Sequence, residues 1–183
     1  MNKESNTYIF IYSAVLVVIV AVLLTAAALW LQPYQQRNRD NEQRMMILAA
    51  AGASEGDQIT FVDGDLPVYI VNENITVIPM HGNGLWGPIW GYIAVSADGT
   101  VIGANFDHKS ETPGLGGEIT TEKFQSQFTG KRYMDNGNPV PIEVDAITGA
   151  TKTSNGVKEM IDRTMQMYLP YFKSITSQNG EMK

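Results

Sequence analysis

Asp145-Ala146-Ile147-Thr148-Gly149-Ala150-Thr151-Lys152-Thr153 is a small, hydroxyl-rich stretch that runs straight into a helical pattern. Three threonines, a glycine and an alanine among its last six residues give the backbone little bulk, so a large anionic group can come close. Ser154-Asn155-Gly156 carries N-cap chemistry. Val157, Met160, Ile161, Thr164 and Tyr168 then recur at i, i+3, i+4, i+7 and i+11, which predicts a helix from about residue 155 towards 172. Thr153 thus falls at or just before a helix N-terminus, where unpaired N–H groups and the positive end of the helix dipole favour a phosphate. Composition alone is satisfied by an ordinary strand-to-helix turn, because short motifs recur by chance.

Upstream of this stretch, β-rich runs at 59–62, 68–71, 75–79, 88–95, 101–106 and 140–144 are separated by turn signals such as Asp63-Gly64-Asp65 and Ser96-Ala97-Asp98-Gly99. The second of these turns predicts a hairpin of 89–95 with 100–106. A helix is expected to begin at Thr121, with Phe124 and Phe128 on one face. Pro170 lies late in the final helix and is a candidate kink or end. Strands interspersed with helices predict an α+β domain over 52–183, an antiparallel sheet with flanking helices.

Residues 9–31, IFIYSAVLVVIVAVLLTAAALWL, hold no charge. A helix needs about 20 apolar residues to cross a bilayer, whereas a signal peptide has an apolar region of roughly 7–15. Ala26-Ala27-Ala28 would serve as a cleavage site, but the run is too long for that reading. Tyr8, Tyr12 and Trp30 stand near its ends, where aromatics mark the membrane interface. The division expected is therefore a tail at 1–8, a transmembrane helix at 9–31, a linker helix at 32–51 and the domain at 52–183. Lys3 alone precedes the apolar run and Arg37, Arg39 and Arg44 follow it, a count that favours a cytoplasmic domain.

The chain has no cysteine, which excludes disulfides, thiolate-held clusters and thiol catalysis. Its net charge of −6 makes nucleic acid a poor partner. His81 and His108 lack zinc-ligand spacing, and no metal site is expected; both read as exposed loop residues. Glu111 and Glu118 suggest no acid–base pair. No dinucleotide fingerprint, P-loop or Ser-His-Asp pattern occurs, so no catalytic residue is assigned and nothing here binds NADH unaided. Trp86 and Trp90, four apart, would share a face if both lay on one strand; Trp90 reads as core. The loop 111–118, Glu-Thr-Pro-Gly-Leu-Gly-Gly-Glu, is glycine-rich and by itself an ordinary surface loop.

The Asp-x-x-Thr-Gly-Ala-Thr-x-Thr pattern of 145–153 resembles the flavinylation motif of proteins that carry FMN covalently on threonine. Gly84-Leu85-Trp86-Gly87-Pro88-Ile89-Trp90-Gly91-Tyr92 and the 111–118 loop resemble one branch of that family, the NqrC proteins of sodium-translocating NADH:quinone reductases. The RnfG proteins of Rnf electron-transport complexes share the threonine motif and are less similar over 84–92. An anchored, non-redox binding module is the reading left if the threonine is unmodified. The resemblance implies a phosphoester from FMN to Thr153, with Thr148, Gly149, Ala150 and Thr151 around the phosphate. It implies the flavin ring at Thr112, Gly114, Leu115 and Gly116, with Trp86 beside them. It also implies a separate flavin transferase that uses FAD as donor, the other subunits of a membrane complex as partners, and a domain on the periplasmic face of the inner membrane. That sidedness conflicts with the arginine count; the resemblance, which spans nearly the whole chain, is followed.

Overall fold

The computed structural model describes residues 6–135 and 138–180. The chain forms two compact units, 1–43 and 44–183.

The described residues of the first unit lie in α1, Asn6–Ala51, a single helix with Pro33 inside it. Its apolar stretch makes it long and apolar enough to cross a membrane by length and composition. The anchor and linker expected as separate helices are thus one continuous helix. The last turns of α1 belong to the second unit. Ile47, Leu48, Ala50 and Ala51 are buried there in a cluster with Val71, Val77 and Ala94.

That unit is an α+β domain. Five antiparallel strands lie in the sequential order β1 (Ile59–Val62), β2 (Val68–Val71), β3 (Ile75–Asn83), β4 (Pro88–Val95) and β5 (Val101–His108). The register places Ile78 opposite Ile93 and Ile93 opposite Ala104, so alternate residues line one apolar face. Against this face packs α3, Thr151–Gly180, through Val157, Met160, Ile161, Met165, Tyr168 and Phe172. Gly82 on β3 lets the two layers approach closely, since a Cβ there would lie 2.8 Å from Met160 Cβ. Gly91 makes room for Phe106, whose ring would meet an added Cβ at 2.6 Å. Phe106, Phe124 and Phe128 then close edge to face at 5.2–6.3 Å.

The hairpin expected at 96–99 forms, with Val95 paired to Val101 and Gly99 at φ +82°. Phe124 and Phe128 are both buried, but the helix around them is short: α2 spans Glu122–Gln125 and a 3₁₀ turn follows at Ser126–Phe128. Residues 140–144 are not a strand. Pro139 and Pro141 remove two ladder donors there, and the segment is held piecemeal, with Val140 N–H donating to Tyr133 O at 2.5 Å. The two-residue strands β6 (Met134–Asp135) and β7 (Asn138–Pro139) pair just before it. The last helix begins four residues earlier than its apolar stripe suggests, and Pro170 lies within it.

Tyr133 is buried and its hydroxyl donates to the main-chain oxygen of Asp162 at 3.3 Å. Burial, with the nearby Asp162 charge, pushes the phenol up from 10.0 to about 12. A raised folded value means that this group's stabilisation is complete below pH 10 and is lost as pH rises towards 12. Urea titrations across this window should show wild type losing stability more steeply than Tyr133→Phe, with the difference between them constant below pH 10. Parallel curves throughout would contradict this account of Tyr133.

Candidate functional site

Three segments far apart in sequence meet at one buried carboxylate. Glu111 is 4% exposed. One of its oxygens, Oε1, accepts the Trp86 main-chain N–H at 2.7 Å, and the other, Oε2, accepts the Thr153 hydroxyl at 2.6 Å. Thr153 itself is 1% exposed. Hydrogen bonds to a carboxylate are the strong kind, worth roughly 1.5–3 kcal/mol each. Here they tie the β3–β4 turn and the 111–117 loop to the first turn of α3.

The packing at this junction admits no extra atoms. A Cβ on Gly84 would lie 2.5 Å from Glu111 Oε1, and one on Gly116 would overlap Glu111 Oε2 and lie 2.8 Å from Thr153 Oγ1. Gly156, on α3, packs against the Asn83 carbonyl with no room for a side chain. His108, at the end of β5, supports the loop from beneath. Its Nδ1 accepts the Glu111 N–H at 3.2 Å, and Nε2 faces Gly117.

The stretch 145–153 is a turn that closes onto α3. Ala150 N–H donates to Ile147 O, and Ser154 Oγ accepts the Ile147 N–H at 3.0 Å while donating to Ala150 O. Ser154 therefore caps the turn from inside the helix. Asp145 is exposed and exchanges main-chain hydrogen bonds with the Gln127 side chain. Thr148, Gly149 and Thr151 are exposed and Ala150 is buried. Gly149 has φ +80°, a conformation that glycine adopts freely, and a Cβ there would come 3.0 Å from Leu115 Cδ2.

Of the residues singled out in the sequence, Thr153, Gly116 and the Trp86 main chain converge on Glu111, and Leu115 and Gly149 face each other. Thr112, Gly114 and Leu115 are exposed on the adjoining loop, Leu115 at 41%. The Trp86 side chain is 66% exposed at the tip of the β3–β4 turn, so it shares no strand face with Trp90. Trp90 is half-buried on the opposite sheet face from Ile89 and Ile93 and is not core. His81 is on strand β3 and His108 is half-buried at the end of β5, neither on a free loop. Sequence reasoning named Glu111 and His108 but gave neither a role in the site. The only sequence cue to Glu111 was its place at the head of the glycine-rich loop.

A cavity of about 520 Å³ opens beside the motif, lined by Glu118, Thr121, Lys123 and residues 145–148 among others. Its size suits a small-molecule site, but of the expected residues only Thr148 lines it.

These residues fit a flavin mononucleotide. The first turn of α3, with exposed Lys152, offers N–H donors and positive charge to a phosphate, and exposed Leu115 and Trp86 offer apolar surface to a ring. The one feature turned the other way is the Thr153 hydroxyl, which points into the domain.

Comparison with known proteins accords with this arrangement. Residues 84–166 match the family model of the FMN-binding domain, so the class is that of FMN-binding flavoproteins. The crystal structure of NqrC, of the Na(+)-translocating NADH-quinone reductase, from Parabacteroides distasonis superposes with a TM-score of 0.65 at 30% identity, covering 78% of this chain and 96% of that one. The corresponding NADH-quinone reductase protein of Vibrio anguillarum is 33% identical over 147 residues, 70% of this chain and 57% of its own length. NqrC of Shewanella oneidensis, at 22% identity and TM-score 0.61, shares the fold. This chain belongs to the NqrC family of Na(+)-translocating NADH-quinone reductases. It spans about half the length of the curated relatives it matches.

Proposed function

We propose that this chain is the FMN-carrying, membrane-anchored electron-transfer subunit of a sodium-pumping NADH:ubiquinone oxidoreductase, and that FMN is joined by a phosphoester to Thr153. The observation that carries this reading is the meeting of the threonine motif, the glycine loop and the 84–87 turn around a single carboxylate, within a region that matches FMN-binding domains. When bound, the flavin supplies one- and two-electron chemistry; the protein supplies attachment, orientation and electrostatics. Thr148, Gly149, Ala150 and Thr151 would flank the phosphate on the first turn of α3. Leu115, with Gly114 and Gly116 on either side, would lie against the ring, Thr112 would offer a hydrogen bond, and Trp86 would shield an edge. With no nucleotide fingerprint of its own, the chain works only beside the other subunits of the complex. Attachment requires a flavin transferase with FAD as donor, because a threonine hydroxyl is unactivated at neutral pH.

Intact mass and in-gel flavin fluorescence of protein from a flavin-transferase-containing host should show one covalent flavin mononucleotide. Thr153→Ala should show none, and retention of covalent flavin by that variant would move the attachment elsewhere.

A second test concerns the ring. Leu115→Asp should keep the covalent bond yet lower the flavin potential by on the order of tens of millivolts, where 59 mV is tenfold for one electron. A carboxylate against the ring disfavours the addition of electrons. An unchanged potential and spectrum in a folded variant would place the ring away from this loop, with the cavity beside 145–148 as the next candidate.

Sidedness follows from the same reading: a single span over residues 9–31 in the inner membrane with the domain in the periplasm. Protease added to spheroplasts should digest beyond Arg44. Protection until the membrane is opened would put the domain in the cytoplasm, as the count of Arg37, Arg39 and Arg44 implies.

A further inference from the structure

We propose that the Glu111–Thr153 hydrogen bond is a latch: it holds the attachment hydroxyl inside the domain, and flavin transfer requires the 111–117 loop to part from the first turn of α3. Glu111 is then the positioning residue that sets how often the hydroxyl becomes available. This rests on Thr153 being the attachment point.

The argument begins with access. Thr153 is 1% exposed, and its hydroxyl donates its only proton to Glu111 Oε2 at 2.6 Å. Gly116 covers it so closely that even one methyl group would come 2.8 Å from Oγ1. Attachment forms a bond from Thr153 Oγ1 to the phosphorus of the FMN half of FAD. The pyrophosphate bond to the AMP half breaks, AMP leaves, and the hydroxyl proton is released to solvent. Reacting atoms must first come within about 3–3.5 Å, with the attacking and leaving oxygens roughly in line. A diphosphate ester held by a second protein cannot reach that position on an oxygen enclosed by Glu111 and Gly116. The closed domain is therefore a non-reactive form of the acceptor.

What holds it closed is specific. Glu111 is itself buried and is fixed at its other oxygen by Trp86 N–H at 2.7 Å, with His108 Nδ1 accepting from its own N–H. The carboxylate thus has one orientation, and the hydroxyl is its remaining buried donor among the bonds described. Opening the latch costs a charge-assisted bond. Attachment removes the donor for good, since an esterified oxygen has no proton and its phosphodiester is negatively charged like Glu111. The same contact does not re-form afterwards, so modification is also a one-way release of the loop.

The experiment uses full-length protein in detergent, prepared without flavin, and incubated with a flavin transferase, FAD and magnesium. Covalent flavin is followed by in-gel fluorescence and intact mass, with Thr153→Ala as the blank. For wild type, the rate should level off as transferase concentration rises, because opening becomes limiting. Glu111→Gln keeps the shape and loses the charge; its ceiling should be about tenfold higher, tenfold corresponding to about 1.4 kcal/mol. A Glu111→Gln rate equal to or slower than wild type overturns the latch, and a slower rate would make Glu111 an activator of the hydroxyl. Absence of label on wild type, or label on Thr153→Ala, overturns the attachment point and the latch with it.

Thr153→Val supplies a readout that needs no transferase and covers the case in which Glu111→Gln melts early. It removes the donor with little change in shape, so hydrogen exchange at the amides of 111–117 should quicken about tenfold, and by more than at the amides of strands β3 to β5. Unchanged exchange there overturns the latch.

Discussion

The arrangement of this domain depends on one buried negative charge. A carboxylate taken out of water is costly unless each oxygen finds a donor, and Glu111 finds them on two other segments, the Trp86 main chain and the Thr153 side chain. The segments it joins are 25 and 42 residues away in sequence. The glycines at 84 and 116 are consequences of this charge, since either Cβ would intrude on its oxygens. The first turn of α3 and the β3–β4 turn can be viewed as ligands of a single anion that the 111–117 loop carries. Removing it would leave a main-chain donor unsatisfied and three loops without a common register.

Around this centre the scaffold does ordinary work. A sequential antiparallel sheet needs only short connections, and α3 covers one of its faces with a stripe from Val157 to Phe172. The stripe fixes how α3 is turned about its axis, and therefore that Thr153 points inward while Thr151 and Lys152 point out. The orientation of Thr153 is thus set by apolar burial further along the helix, at a stabilisation of roughly 1.5–3 kcal/mol for each of several buried side chains, together more than a single hydroxyl can oppose.

Much of this was readable from local pattern. The strands at 59–62, 68–71 and 88–95 stand where β-rich runs bounded by turn residues put them. The threonine motif was equally local. The failures are non-local or depend on hydrogen bonding. Residues 140–144 have strand-like composition, but Pro139 before them and Pro141 among them cannot donate to a ladder. Ser154 looked like a residue outside the helix, yet its hydroxyl serves the turn from within the first helical turn. Trp90 was expected in the core on size alone, while the register of β4 gives that face to Ile89 and Ile93. Glu111 was named without a role: its burial shows only when the segments that cover it are brought together.

The end of α1 carries a practical consequence for dividing the chain. An apolar anchor followed by a polar stretch invites a cut at Gly52, just past the helix, leaving a water-soluble fragment. Such a fragment would lose Ile47, Leu48, Ala50 and Ala51, each no more than 4% exposed, and would uncover Val71, Val77 and Ala94 across the sheet face they occupy. It would also lose the Arg44 guanidinium, which holds the main-chain oxygens of Glu55 and Asp57. The covalent boundary between membrane segment and domain therefore lies inside a helix, about two turns upstream of where the helix visibly stops, and a fragment that retains its fold has to begin partway along it.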